Sequence, residues 1–154
     1  MPTTAIPREG RVLGLDWGAN RIGLAITDPT QLIASPLEVL RRRAGKRLPL
    51  GAFLTIVERE EPVGIVVGIP FDDQGREGAS AMAAREMAEQ FGARSGLPLD
   101  FIDESFSTSE SHARLIERGI SPASRDAMID AMAAAVVLER WLASRVVRVE
   151  NHEP

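Results

Sequence analysis

Apolar residues change their spacing several times along this chain, and each change marks an element. Residues 11–16 (RVLGLD) and 21–27 (RIGLAIT) read as two strands around a glycine-containing turn. Residues 33–40 read as a third strand, beginning after Pro36. Leu50, Phe53, Leu54 and Val57 then recur at i, i+3, i+4 and i+7, which predicts an amphipathic helix over 49–60 with Pro49 near its start. Residues 63–69 (VGIVVGI) are almost continuously apolar, as expected of a strand covered on both faces. Ala83, Met87 and Phe91 recur every four residues and place a helix at 79–93, and 99–104 is another strand. Ser107 and Glu110 have capping-box spacing and open a helix that Gly119 ends, after which Ser121-Pro122 starts the last helix. The order βββαβαβαα implies an α/β sandwich with a mixed sheet flanked by helices.

One position breaks the pattern. Asp130 is the only polar residue in Ala127–Leu138 (AMIDAMAAAVVL), a stretch helical by composition. Met128, Ala131, Ala135, Leu138 and Leu142 form one apolar stripe, while Ala127, Ala134, Val137 and Trp141 flank the aspartate. A helix apolar on nearly every side is buried, and an isolated carboxylate is costly to bury. It must be protonated, paired with a base or bound to a cation. Positions 126, 127, 133 and 134, one turn away, offer no Lys or Arg.

Composition narrows the chemistry. The 154 residues fit one domain with a real core, and 44% hydrophobic with 26% charged residues is ordinary for a soluble protein. There is no cysteine, which removes disulfides, thiolate metal sites and thiol catalysis. His112 and His152 are the only histidines, a weak basis for imidazole chemistry. Neither a signal core nor an apolar run of membrane-spanning length is present, so a cytoplasmic location and no membrane partner are expected. The net charge of −4 argues against coating nucleic acid by bulk electrostatics, but the segment 41–47 (RRRAGKR) is densely basic. Arg41, Arg42, Arg43, Lys46 and Arg47, together with Arg21, are the candidate contacts to phosphate; the bland reading of the segment is solvated surface.

Other acids end strands. Asp16 closes the first strand, and Asp103 and Glu104 close the last. In open α/β sheets ligand sites gather at the carboxyl ends of strands. Two strand-end acids and a helical acid can therefore converge, and a carboxylate cluster without Cys or His suits hard cations such as Mg²⁺ or Mn²⁺. A pair of such ions can serve a phosphodiester displacement. Each acid also has a structural reading: Asp16 and Asp28 could bound a hairpin, Glu104 could accept hydrogen bonds in a loop, and Asp130 could be an internally bonded core acid. Alternation along the strand allows only one of Asp103 and Glu104 to face the site. Trp17 could stack on a base, although packing is the commoner use of an aromatic beside a strand end.

Four segments resemble one family in order. GLDWGANRIGLAITD is similar to its Asp-aromatic-Gly-Thr-Lys-Arg-Ile-Gly pattern with a trailing Asp, and VVGIPFDDQGREG to its Val-Gly-Leu-Pro loop. DESFSTSE resembles its Asp-Glu-Arg-Leu-Thr-Thr segment, and IDAMAAAVVLERWL its closing helix. This is the YqgF/RuvX family of pre-16S rRNA nucleases, also described as Holliday-junction-resolvase-like, with an RNase H-like fold. The resemblance implies an RNase H-like nuclease domain over 11–143, with 1–10 and 144–154 as terminal extensions. It makes Asp16, Glu104 and Asp130 the catalytic and metal-binding acids, and implies two Mg²⁺ or Mn²⁺ ions as the cofactor. The implied partner is structured nucleic acid, with precursor 16S rRNA favoured and branched DNA the alternative; a homodimer stays open. The chain departs from the family pattern at Ala19-Asn20, Ser105 and Met128. Two rival classes remain. The first segment is also similar to the phosphate motif of actin-like kinases, but those need two such domains. The other rival is a non-catalytic ribosome-assembly or transcription-associated binding module.

Overall fold

The computed structural model describes residues 5–18, 20–42, 48–71, 74, 76–103 and 122–152, the last range with side chains at 128–145. Five strands and three helices are described: β1 (Val12–Trp17), β2 (Arg21–Thr27), β3 (Ala34–Arg41), α1 (Leu50–Glu60), β4 (Gly64–Ile69), α2 (Ala79–Ser95), β5 (Leu99–Asp103) and α3 (Pro122–His152). The helix expected after Ser107 lies outside the described residues. The sheet order is β3-β2-β1-β4-β5. β1 pairs antiparallel with β2, and β2 with β3; β1 pairs parallel with β4, and β4 with β5. The sheet is therefore mixed, as expected.

One boundary differs from the sequence reading. β3 runs straight through Pro36, which lies opposite Ala25 beside a register shift at Leu24/Ala25. An edge strand tolerates a residue without an N–H, most easily at a bulge. α3 continues to His152. Arg145 on this helix donates to the carbonyls of Ile6 and Pro7 and to Oε1 of Gln31, and Ile6 is itself buried. Arg145 thus ties α3 to the segment that precedes β1.

Alternation gives the sheet two dissimilar faces. One carries Leu13, Leu15, Ile22, Leu24, Ile65, Val67 and Ile69, packed against Phe53 and Ile56 of α1 and Met87 and Phe91 of α2. The Phe53 and Phe91 rings stack with centroids 4.0 Å apart. The buried stripe of α2 includes Ala84 and Ala88 with Met87 and Phe91, whereas Ala83 is only half-buried. The other face carries Val12, Ala25 and Val66 against Met132, Ala135, Leu138 and Trp141 of α3. Here glycine allows close approach. A Cβ on Gly14 would lie 2.5 Å from Cγ of Leu138, and one on Gly23 only 1.9 Å from the carbonyl oxygen of Asp130. No helix among the described residues is long and apolar enough to cross a membrane.

Candidate metal and nucleic-acid site

The close passage of α3 over β2 brings the first two predicted acids together. Asp16 is the register partner of Gly23 on one side and of Gly68 on the other, and Gly68 pairs with Ile102. Gly23, Asp16, Gly68 and Ile102 therefore form one row across the sheet. That row faces α3, because Gly14 and Gly23 both abut the helix and Ile102 packs in its cluster. Asp16 is the acid in the row, half-buried between two glycines. The backbone of Asp130 rests on the neighbouring glycine. Two carboxylates distant in sequence thus share one face at the carboxyl end of β1.

Asp130 has a basic partner that the helix itself does not supply. Nε of Arg21, the first residue of β2, lies 2.9 Å from Oδ2 of Asp130. Reading along the helix alone missed this pairing because the guanidinium comes from the sheet. Asp130 is also less buried than an all-apolar helix suggests: its side chain is 21% exposed, although Oδ2 itself is shielded from solvent. The contact is an ion pair rather than a hydrogen bond, since no aligned donor among the described residues reaches Oδ2.

Alternation along β5 assigns its last residues to opposite faces. Phe101 belongs to the cluster under α1 and α2, and Ile102 to the cluster under α3. Asp103 shares the parity of Phe101 and is exposed. Its backbone carbonyl accepts a hydrogen bond from Arg140 of α3, at 3.0 Å, which ties the end of β5 to the helix carrying Asp130. Glu104 lies outside the described residues, and among the described ones no three acids or histidines gather as a metal-binding group. Asp100, which the sequence reading passed over, accepts a hydrogen bond from Nε1 of Trp141 at 2.8 Å. Its parity with Val66 and Ile102 was the available signal.

The basic candidates split between the two faces. Arg41 is the register partner of Arg21 and so stands on the α3 side. Arg42 stacks over the Trp17 ring, 4.0 Å from its centroid, and donates to the carbonyl of Gly18 at 3.3 Å. Trp17 is thus covered by a guanidinium and packed on the large-residue cluster, which favours packing over base stacking. Arg43, Lys46 and Arg47 lie outside the described residues. Asp28 takes the structural role considered for it. Its carboxylate accepts from the Thr30 hydroxyl and from the backbone N–H groups of Thr30, Leu32 and Ile33. These bonds, the Thr30 hydroxyl foremost, hold its carboxyl well below the usual carboxylate range.

With this geometry in place, the comparisons with known proteins are concordant. The family described as RuvX, Holliday junction resolvase, matches residues 10–144. A protein of Anaeromyxobacter sp. named "Putative pre-16S rRNA nuclease" is 42% identical over 135 residues, covering 88% of this chain and 98% of its own. One of the same name from Acaryochloris marina is 38% identical over 130 residues, covering 84% and 90%. Among solved structures, Thermus thermophilus RuvC in complex with a Holliday junction substrate aligns over 89% of this chain and 96% of its own, with a TM-score of 0.59 and 18% identity. The fowlpox virus Holliday junction resolvase aligns over 88% and 99%, with a TM-score of 0.52 and 11% identity. The structural likeness establishes the RNase H-like fold, and the family match establishes kinship: this chain belongs to the RuvX family.

Proposed function

We propose that the protein is a metal-dependent nuclease that cleaves phosphodiester bonds of structured RNA, with the 5′ region of precursor 16S rRNA as its substrate. The observation that carries the reading is the seating of the Asp130 backbone on Gly23, the register partner of Asp16. It gathers two carboxylates on one sheet face, where the chain's own fold supplies oxygen donors and no sulfur. A divalent cation fits such a donor set, and the solvent-shielded Oδ2 of Asp130, approached by a charge but by no aligned donor, is a ligand oxygen available to it. Asp16, Glu104 and Asp130 would hold Mg²⁺ or Mn²⁺, two ions in the reading favoured here. When bound, they supply charge stabilisation for in-line displacement at phosphorus.

The remaining work falls to side chains. Arg140 anchors the carbonyl of Asp103 and so fixes the backbone immediately before Glu104. Arg21 and Arg41, paired across β2 and β3 on the α3 side, provide positive charge beside the acids in a protein of net charge −4. Phosphate contacts of this kind position the backbone of a nucleic acid without reading its sequence. Relatives named for pre-16S rRNA favour RNA over DNA, and the cytoplasm is the compartment where such a substrate would be met.

The test is purified protein with labelled precursor 16S rRNA or a labelled four-way DNA junction, each with and without Mn²⁺. Mn²⁺-dependent cleavage of the RNA is expected. Cleavage confined to the junction would transfer the reading to branched DNA. Tight binding without cleavage of either would make the chain a binding module.

A further inference from the structure

We propose that Arg21 is an internal counter-ion: it occupies the Asp130 carboxylate in the metal-free protein and yields it when a divalent cation binds. The inference rests on the metal-site reading above and concerns how that site is held ready.

Four observations carry it. Nε of Arg21 is 2.9 Å from Oδ2 of Asp130, close enough to offset most of the cost of shielding that oxygen from water. Yet the contact is not an aligned hydrogen bond, so the oxygen's directional capacity is unspent. The Arg21 side chain is 45% exposed, so the guanidinium can leave without crossing a packed core. Finally, Arg21 stands directly opposite Arg41. Like charges facing each other across strands repel, and the Asp130 carboxylate provides a negative charge beside Arg21 that relieves this.

The consequence is a competition. An uncompensated Asp130 carboxylate, its Oδ2 shielded from water, would strain the seat of α3 on β2; Arg21 removes that cost. A divalent cation brings more charge and makes directional bonds to carboxylate oxygens, so it displaces the guanidinium. Cation affinity is then lowered by the strength of the Arg21–Asp130 pair, because the pair must be broken first.

Mn²⁺ titration without nucleic acid, followed by the electron spin resonance of free Mn²⁺, tests this on wild type, Arg21→Gln, Arg21→Lys, Arg41→Gln and Asp130→Asn. Arg21→Gln should bind Mn²⁺ about tenfold more tightly than wild type, within the usual range of site-to-site coupling. Its thermal midpoint should fall below wild type without Mn²⁺ and recover with it. Arg21→Lys should fall between the two in affinity. Arg41→Gln removes the same charge from the opposite strand and should give a clearly smaller gain. Equal gains from Arg21→Gln and Arg41→Gln would reduce the effect to the general field and overturn the exchange. Wild-type affinity in Arg21→Gln would overturn it too, leaving the metal site intact. Mn²⁺ binding absent from wild type, or undiminished in Asp130→Asn, would overturn the metal-site reading and this inference with it.

Discussion

The two faces of the sheet use opposite means. Under α1 and α2 the strands present Leu13, Leu15, Ile22, Leu24, Ile65 and Ile69, large side chains that fill a thick core with Phe53 and Phe91. Under α3 the same strands present Val12, Gly14, Asp16, Gly23, Ala25, Val66 and Gly68, so helix and sheet nearly touch. The first face gains stability from buried apolar area, which scales with side-chain size. The second gives up area for proximity, and that proximity sets the backbone of Asp130 beside Asp16. On the function proposed above, this fold concentrates stability on one side of the sheet and the site on the other.

If that division holds, variants on the two faces should separate stability from activity. The largest effect is expected from the acids: Asp16→Asn, Glu104→Gln and Asp130→Asn should each lower Mn²⁺-dependent cleavage by orders of magnitude while remaining folded by circular dichroism. Asp103→Asn should lower it only modestly, because its parity places it on the other face. On the large-residue face, Phe53→Ala should cost about 3–5 kcal/mol in urea denaturation, the usual loss for a buried aromatic. Its cleavage rate per folded molecule should match wild type.

Glycine sharpens the comparison, since the same substitution should have opposite signs at two positions. Gly23→Ala drives a Cβ into the Asp130 carbonyl and should cost about 1–3 kcal/mol and most of the activity together. In Gly51→Ala, within α1, the new methyl meets nothing within 4 Å, and a gain of about 0.5–1 kcal/mol is expected with unchanged cleavage. The smallest effect belongs to Asp28, in the turn after β2. Its carboxyl is held low in the folded protein, so its stabilising contribution is present above the ordinary carboxylate range and is lost as pH falls below it. The thermal midpoint of Asp28→Ala should lie slightly below wild type at neutral pH, and the gap should close in acid.

Much of this was legible in the chain, for physical reasons. The continuous apolar run at 63–69 announced a strand covered on both faces, and β4 is buried along its whole length. Asp130 stood out because a lone acid in an apolar helix must be compensated. What compensates it was not legible, since Arg21 and Asp130 meet only once the sheet and α3 are assembled. Local spacing likewise could not show that Pro36 is tolerated at an edge, a fact of strand order rather than of sequence. The basic run at 41–47 looked like one surface, but Arg41, the last residue of β3, joins Arg21 while Arg42, just past the strand, stacks on Trp17. Segment composition shows charge; only pairing shows which face receives it.

The most direct test of the central claim is an anomalous-scattering crystal structure of the protein soaked in Mn²⁺. A peak bonded to carboxylate oxygens of both Asp16 and Asp130, on the α3 side of the row containing Gly23 and Gly68, is the predicted result. Manganese bound elsewhere, or an Arg21–Asp130 pair unchanged at saturating Mn²⁺ with no peak beside Asp16, would contradict it.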